Sequence, residues 1–169
     1  IPEATPYVLD VLDKMDIKAT FFMVGENAQR YPHLLEEVRR RGHRIGNHTH
    51  NHIGGFRWFS WKYLGNVQKA EDILQTGKLF RPPRGWMKIM QYRVLRYTGW
   101  RVVMWDVVTR DYSNILSADD VLQNVKRYTR NGSIITFHDS LKSIDKLRQM
   151  LPEALSWLKE QGYEFKVFD

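Results

Sequence analysis

Three of the six histidines in this 169-residue chain lie within five positions, at His48, His50 and His52 in the segment GNHTHNH. Two imidazoles that share one zinc ion must bring their nitrogens within about 3.5 Å of each other. On an extended strand residues 48 and 52 would be about 13 Å apart, whereas one helical turn brings them to about 6 Å. The pair His48 and His52 therefore needs a coiled segment, while either pair that includes His50 suits an extended one. The spacing leaves the pair open, and a surface cluster without a ligand is the alternative.

Two imidazoles do not complete a catalytic zinc site, which usually has three protein ligands and a water molecule. The chain has no cysteine, so a further ligand would be a histidine or a carboxylate. His138, in the segment FHD, could be that ligand or, without metal, a general acid. Asp106 and Asp111, in the segment WDVVTRD, could bind the metal or orient a histidine.

The segments that carry these residues are predicted to follow strands of an α/β fold, since helix and strand patterns alternate along the chain. Strands are predicted in IKATFFMVG, HRIGN, WRVVMWDVV and GSIITFHD. Their apolar, non-alternating composition is typical of a parallel sheet covered on both faces or of a closed barrel. Functional side chains in such folds gather at the C-terminal ends of strands. We therefore expect the histidine segment, WDVVTRD, FHD and the loop RPPRGW to lie on one rim.

Helices are predicted between these strands. Thr5 is predicted to cap a helix that has Pro6 at its first position, and Ser117 with Asp120 is typical of a capping box. In the last helix, Pro152 is a potential kink or break. Further helices are predicted at residues 31–41, 60–76 and 88–97, and in the segment that runs to Gln161.

Composition predicts one globular domain, because 43% of the residues are hydrophobic and 13% are aromatic. No apolar run approaches the about 18 residues of a membrane helix, and IPEATPYVLD does not have the regions of a signal peptide. The net charge of +7 favours an anionic partner. The Lys and Arg residues are nevertheless scattered along the chain, so a nucleic-acid-binding domain is not expected.

Five segments, KATFFMVGENA, RGHRIGNHTHNH, FRPPRGW, WDVVTRDY and IITFHD, together resemble the polysaccharide deacetylases of carbohydrate esterase family 4, the NodB-homology domain. The resemblance extends from about Thr5 to Phe168. It implies a distorted (β/α) barrel and a hydrolase that removes N-acetyl, and sometimes O-acetyl, groups from glycans with a divalent metal, zinc being preferred. It also implies an acetylated polysaccharide or oligosaccharide as partner, such as peptidoglycan or chitin oligomers, and a location in the cell envelope or outside the cell.

The resemblance implies a role for the histidine segment. The family motif H-[ST]-x-x-H falls on His48, Thr49 and His52. This match selects His48 and His52 as the metal ligands, assigns Thr49 to substrate binding and leaves His50 without a role.

The resemblance also assigns the loop RPPRGW. Arg81 begins the family motif R-P-P, and in the family this arginine pairs with the catalytic-base aspartate. The backbone N–H at the position of Arg84 helps to hold the oxyanion, and the side chain of Arg84 changes what lines the substrate groove. Trp86 is expected to stack on a sugar ring or to lie partly in the core.

The motif D-W of the family matches Asp111 and Tyr112, and the motif L-x-H ends at His138, without its leucine. The resemblance implies that His138 is the general acid and that Asp111 tunes it, because a neighbouring carboxylate favours the charged imidazolium. Tyr112 is a candidate for sugar contact. The aromatic cluster Trp58, Phe59 and Trp61 is either a glycan platform or the cap of a helix, and we favour the cap.

The family's first motif, T-F-D-D-G, supplies the catalytic base and the third metal ligand and normally lies immediately before a segment like IPEATPYVLDVLDKM. Because the sequence begins at that point, we expect residues 1–169 to be a single, N-terminally truncated domain whose first strand is missing. On this expectation, the residues given would bind metal weakly and show little activity. The alternative function is an inactive, glycan-binding pseudoenzyme.

Overall fold

Helices and parallel strands alternate along residues 1–168, which are the residues that this computed structural model describes. The helices are α1 (Thr5–Lys14), α2 (Gly25–Arg30), α3 (Pro32–Arg40), α4 (Ser60–Leu74), α5 (Ile89–Tyr97), α6 (Ala118–Tyr128) and α7 (Ile144–Glu160). The strands are β1 (Thr20–Met23), β2 (Arg44–Asn47), β3 (Leu79–Phe80), β4 (Arg101–Val102), β5 (Val107–Val108) and β6 (Ile135–Thr136). The α/β class predicted from the sequence is confirmed.

The chain divides into two compact units, which are described separately. Residues 20–104 and Phe168 form one of them, the four-stranded unit. Residues 1–19 and 105–167 form the other, the two-stranded unit.

The four-stranded unit contains a parallel sheet in the order β1-β2-β3-β4. Its buried core joins α4 and α5 to the sheet through Tyr63, Val67, Phe80, Leu95 and Trp100. In the register of the sheet, Asn47 pairs with Phe80. The C-terminal ends of β2 and β3 therefore lie side by side, which brings the histidine segment next to the loop RPPRGW.

The two-stranded unit contains β5 and β6, which pair in parallel with Val108 opposite Thr136. Helix α7 packs on both α1 and α6. Because the two strands end at the same level, the chain leaves β5 towards Asp111 directly beside the chain that leaves β6 towards His138.

Helix α2 and strand β3 were not predicted, and the predicted elements differ from the observed ones in three further places. WRVVMWDVV was expected as one strand, but it forms β4 and β5, which belong to different sheets. The predicted cap at Thr5 is wrong, because Ala4 holds the cap position and the hydroxyl of Thr5 donates to Asp139 instead. Helix α7 runs through Pro152 without a break.

The capping box at the start of α6 is confirmed. The hydroxyl of Ser117 accepts the backbone N–H of Asp120, and the Asp120 carboxylate accepts the backbone N–H of Ser117. Within residues 1–168, no helix combines the length and the apolar character needed to cross a membrane.

Candidate active site

The histidine segment coils as soon as β2 ends. Thr49 and His52 both adopt left-handed backbone conformations, with φ of 64° and 53°, which turn the chain back on itself. The rings of His48 and His52 consequently lie with their centroids 5.0 Å apart. The sequence left open which two histidines come together. The observed pair, His48 and His52, is the one that needed a coiled segment. We call residues 47–53 the histidine turn.

Buried side chains at the start of the histidine turn hold it in shape. The Oδ1 atom of Asn47 accepts the backbone N–H of Thr49 at 2.9 Å, and its Nδ2 atom donates to the carbonyl of Val67 at 2.9 Å. The hydroxyl of Thr49 accepts the N–H of Ile53 at 3.1 Å. Because Thr49 is fully buried, its side chain shapes the turn, and the contact with substrate that the resemblance implied stays a prediction.

Asn66, on α4, fastens the middle of the histidine turn. Its Oδ1 atom accepts the backbone N–H groups of His50 at 2.8 Å and Asn51 at 3.1 Å, while its Nδ2 atom donates to Asn51 Oδ1 at 2.8 Å. His50 is buried, and burial lowers its pKa. A β-carbon added at Gly25 would lie only 2.8 Å from the His50 ring, so His50 fills space beside α2.

The ring of His48 is oriented by the loop that follows β3. Its Nδ1 atom lies 2.7 Å from the carbonyl oxygen of Arg81. A carbonyl oxygen only accepts, so Nδ1 must carry the hydrogen. In the neutral ring the lone pair then lies on Nε2, and a metal-ligating histidine is normally held by such a bond at its other nitrogen.

The side chain of Arg81 is buried under the same sheet edge. Its guanidinium donates to the carbonyls of Val103 at 3.4 Å and Met104 at 3.0 Å and lies 4.1 Å from the ring centre of Phe22. Burial lowers the pKa of Arg81 to about 10, which leaves the group charged near neutral pH. Gly46 makes room for this stack, because a β-carbon there would lie 2.5 Å from the Phe22 ring.

The rest of the loop RPPRGW turns outward. Residues Pro83–Gly85 form a short 3-10 turn in which Arg84 has a left-handed φ of 58°. The guanidinium of Arg84 lies 5.5 Å from the ring of Trp86, and Trp86 in turn contacts Phe56. Arg84 and Trp86 therefore belong to an exposed aromatic surface of the four-stranded unit.

The donor chemistry of the histidine turn fits a divalent ion as two of its ligands. The ring of His48 is oriented by the Arg81 carbonyl, and the ring of His52 lies beside it. In residues 1–168, no group of three or more histidine, cysteine, aspartate and glutamate side chains is arranged to hold a metal ion. The two imidazoles of the histidine turn could therefore supply only part of a metal site.

The two-stranded unit holds a second histidine in a different way. The carboxylate of Asp111 accepts the backbone N–H of His138 at 2.6 Å, and its other oxygen lies 2.7 Å from His138 Nδ1. Asp111 is completely buried, whereas the side chain of His138 is 39% exposed. The carboxylate therefore fixes the ring with Nδ1 inward and leaves Nε2 as the atom that can give or take a proton.

Two further residues of this unit were candidates from the sequence. The ring of Tyr112 is exposed and meets the His138 ring edge-on, with centroids 4.8 Å apart. Asp106, by contrast, accepts the backbone N–H of Ile134 at 2.6 Å and pairs with Arg130 at 3.0 Å. Asp106 thus closes the turn before β6, and nothing in the structure links it to His138.

Comparison with known proteins now decides the family. The profile of the family described as polysaccharide deacetylase matches residues 1–103. A peptidoglycan-N-acetylglucosamine deacetylase from Bacillus cereus is 33% identical over 97% of this chain and 79% of its own length. This chain belongs to the polysaccharide deacetylase family.

Solved structures of polysaccharide deacetylases agree. One is a peptidoglycan N-acetylglucosamine deacetylase with a TM-score of 0.87 and 31% identity, covering 98% of this chain and 80% of that one. Another is a family 4 pseudoenzyme from Bacillus anthracis with a TM-score of 0.89 and 25% identity, covering 98% of this chain and 59% of that one. The α/β fold of the polysaccharide deacetylase type and the enzyme class predicted from the sequence are confirmed.

Sequence analysis missed the polar residues that hold this deacetylase site in place. Asn47 directly precedes His48, so its position was a usable signal. Asn66 lies on an amphipathic helix, where an asparagine ordinarily faces solvent, and its contact with His50 spans 16 residues of chain. No local pattern identifies such a contact.

Proposed function

We propose that this chain is the catalytic domain of a metal-dependent deacetylase that removes N-acetyl groups from an acetylated glycan, with peptidoglycan as the first candidate. The cell envelope or the outside of the cell is the corresponding location. The observation that carries the proposal is the pair formed by Asp111 and His138. A buried carboxylate that grips a partly exposed imidazole through two hydrogen bonds is suited to general acid catalysis.

His48 and His52 would hold the divalent ion, and their nitrogen donors favour zinc or a similar borderline ion. When bound, such an ion supplies a Lewis acid that polarises the acetamide carbonyl. The carbonyl of Arg81 acts as a positioning group, because it fixes the tautomer of His48. We assign neither a third ligand nor the catalytic base to a described residue.

The other residues of the chain have separate tasks in amide hydrolysis. His138 donates its Nε2 proton to the leaving nitrogen as the C–N bond breaks, and Asp111 stabilises the imidazolium before that transfer. The backbone N–H of Arg84 donates to the oxyanion that forms on the carbonyl oxygen. Trp86 and Tyr112, both exposed, present ring faces that can contact the sugar.

A second candidate function is that of a glycan-binding pseudoenzyme. It is favoured by the likeness of the fold to that of a family 4 pseudoenzyme. Such a protein would bind the same glycan without releasing acetate.

The test is acetate release from peptidoglycan and from chitin oligomers by the full-length protein loaded with zinc, together with its metal content. We expect His138→Ala to lower turnover by about 10² to 10⁴-fold with metal content retained. His48→Ala should lose both metal and turnover. His33→Ala removes an exposed histidine of α3 and is the matched control, for which neither quantity should change.

Two outcomes would overturn the proposal. If His138→Ala empties the metal site, His138 is a ligand and its assignment as the acid is wrong. If the zinc-loaded protein binds glycan but releases no acetate, the second candidate function replaces the first.

A further inference from the structure

A cleft in the four-stranded unit has no role in the chemistry described above. It has a volume of about 450 Å³ and is lined by the indoles of Trp58 and Trp61, the amides of Asn51 and Asn66, and the side chains of Ile53 and Lys62. Asn51 and Ile53 flank His52 in the sequence. The cleft therefore adjoins the histidine turn.

The aromatic cluster Trp58, Phe59 and Trp61 lies at the start of α4. Phe59 occupies the N-cap position, as the favoured interpretation of a helix cap expects, while Trp58 and Trp61 line the cleft. The side chains of Phe59 and Trp61 are each 70% exposed, so they cover little of the helix end. An exposed indole next to a concave surface is available for a ligand instead.

The loop that presents these rings is tied down from α5. Gln91 is completely buried, and its Nε2 atom donates to the carbonyl of Gly55 at 3.0 Å. Lys88 Nζ donates to the carbonyl of Trp58 at 2.9 Å, and the N–H of Gly55 donates to the carbonyl of Trp86 at 2.7 Å. Because these bonds already order the loop, a ligand that binds there does not have to bear the entropic cost of ordering it.

The unit that contains the cleft carries a net positive charge. The four-stranded unit contains 15 Lys and Arg residues against 5 Asp and Glu, a formal charge of +10. Residues 1–19 and 105–167 contain 11 against 13, and Asp169 lies outside the described residues. The net positive charge is thus confined to one unit, chiefly because that unit has few acidic residues.

The cleft itself has Lys62 in its lining, while Lys88 bonds to the carbonyl of Trp58 and Glu26 accepts a bond from Asn51 at its edge. Residues 51–70 and 84–93 include six cationic residues and no acidic one: Arg57, Lys62, Lys69, Arg84, Lys88 and Arg93. An acidic ligand is attracted to such a surface from a distance of about one Debye length, about 8 Å at physiological salt.

We propose that this cleft is a subsite for a sugar unit of the glycan chain other than the unit that reacts, and that its cations select glycans carrying carboxylates. The indole faces suit the apolar face of a pyranose ring, and Lys62 can pair with a carboxylate. A surface that inserts into a membrane presents an apolar face. The amides of Asn51 and Asn66 make the lining of this cleft partly polar, so it differs from such a surface. The choice of a glycan rests on the proposed function.

The experiment compares two soluble probes of equal length by calorimetry with the full-length protein. One probe is a peptide-free chain of N-acetylglucosamine and N-acetylmuramic acid, which carries lactyl carboxylates, and the other is a neutral chitin oligomer. We expect Trp61→Ala to weaken binding of both probes by about tenfold. Lys62→Ala should weaken only the acidic probe, by about threefold, and the difference should vanish at 1 M salt.

Matched controls remove an aromatic ring or a cation at other positions of the four-stranded unit. Tyr97→Ala deletes an aromatic side chain that is 93% exposed, and Arg30→Ala deletes an exposed cation on α2. Neither should change the affinity for either probe. Trp58→Ala is a second test of the cleft if Trp61→Ala fails to fold.

Several results would overturn the inference. Unchanged affinity in both tryptophan variants would remove the subsite, and equal losses for both probes in Lys62→Ala would remove the selection for carboxylates. Binding to phosphatidylglycerol vesicles that depends on Trp61, without glycan binding, would make the surface a membrane contact. Acetate release is scored separately, so Trp61-dependent glycan binding without it would contradict the proposed function and leave the subsite standing.

Discussion

His48 and His138 are held by hydrogen bonds of the same length to acceptors of different charge. In the four-stranded unit, His48 Nδ1 lies 2.7 Å from the neutral carbonyl of Arg81. In the two-stranded unit, His138 Nδ1 lies 2.7 Å from the carboxylate of Asp111. Both acceptors orient the ring with Nδ1 inward, but only the carboxylate can form an ion pair with a protonated ring. In the proposed function, the ring of His48 serves as a metal ligand and the ring of His138 as a proton donor.

This difference agrees with the two proposed roles. A metal ligand must keep a lone pair on Nε2, and an acceptor of either charge at Nδ1 meets that need. A general acid must carry a second proton, so a buried anion suits it. Substitutions that change the acceptor therefore test the comparison directly.

The largest effect is expected from Asp111→Asn. Both oxygens of Asp111 accept N–H groups of His138, so an amide nitrogen in either position would face a donor. We expect turnover to fall by about a hundredfold or more, with zinc content unchanged. Steady-state acetate release and metal analysis measure the two quantities.

Asp106→Asn is the matched control, because Asp106 also accepts a backbone N–H near a strand but does not contact His138. Its turnover per folded molecule should match the parent protein. A loss of zinc in Asp111→Asn, or an equal loss of turnover in Asp106→Asn, would contradict the assignment of Asp111.

A smaller effect is expected in the other unit from Asn66→Ala. The substitution removes the side-chain oxygen that accepts the backbone N–H groups of His50 and Asn51, and it leaves His50 with only its 3.2 Å bond to the backbone carbonyl of residue 66. Groups that orient metal ligands typically contribute 10 to 100-fold to metal affinity, and we expect about a tenfold loss of zinc affinity. Calorimetric zinc titration measures this affinity.

Gln68→Ala is the matched control, because it removes an exposed amide that is bonded to Asp72 on the same helix. This variant should bind zinc as the parent protein does. Equal zinc affinities in the Asn66 and Gln68 variants would show that the Asn66 side chain does not support metal binding.

The smallest effect is expected from Tyr63→Phe. Asp111 and Tyr63 are both completely buried, yet the Tyr63 hydroxyl has no hydrogen-bond partner among the described residues, and burial raises its pKa. Removing an unsatisfied buried hydroxyl should raise the free energy of unfolding by about 1 kcal/mol, as measured by urea denaturation. Tyr97→Phe, at an exposed position, should have no effect, and a destabilised Tyr63→Phe would mean that the hydroxyl is bonded.

Much of the fold could be predicted because its signals are local. The apolar run TFFM, the segment RIGN and the Ser117 capping box each depend on neighbouring residues. The division of WRVVMWDVV into β4 and β5 could not be predicted, because it depends on which sheet each half joins. That choice is made by β3 and β6, which are distant in sequence.

The residue types of the candidate site could be predicted from the sequence, but the hydrogen bonds that orient these residues could not. The spacing of His48 and His52 required a coil, and the coil is present. The orientation of His48 by the Arg81 carbonyl depends on the register between β2 and β3, which the sequence does not encode locally. The roles of His48, His52, Arg81, Asp111 and His138 stay predictions until the variants are measured.

Gly46 lies under the Phe22 ring, and the guanidinium of Arg81 lies 4.1 Å from the centre of that ring. A β-carbon at position 46 would be 2.5 Å from the ring, so even Ala would push Phe22 out of place. Random mutagenesis of this chain should therefore recover almost no replacement at position 46, although the residue has no functional group. What position 46 contributes is the absence of a side chain, and this requirement limits which sequences this part of the sheet can accept.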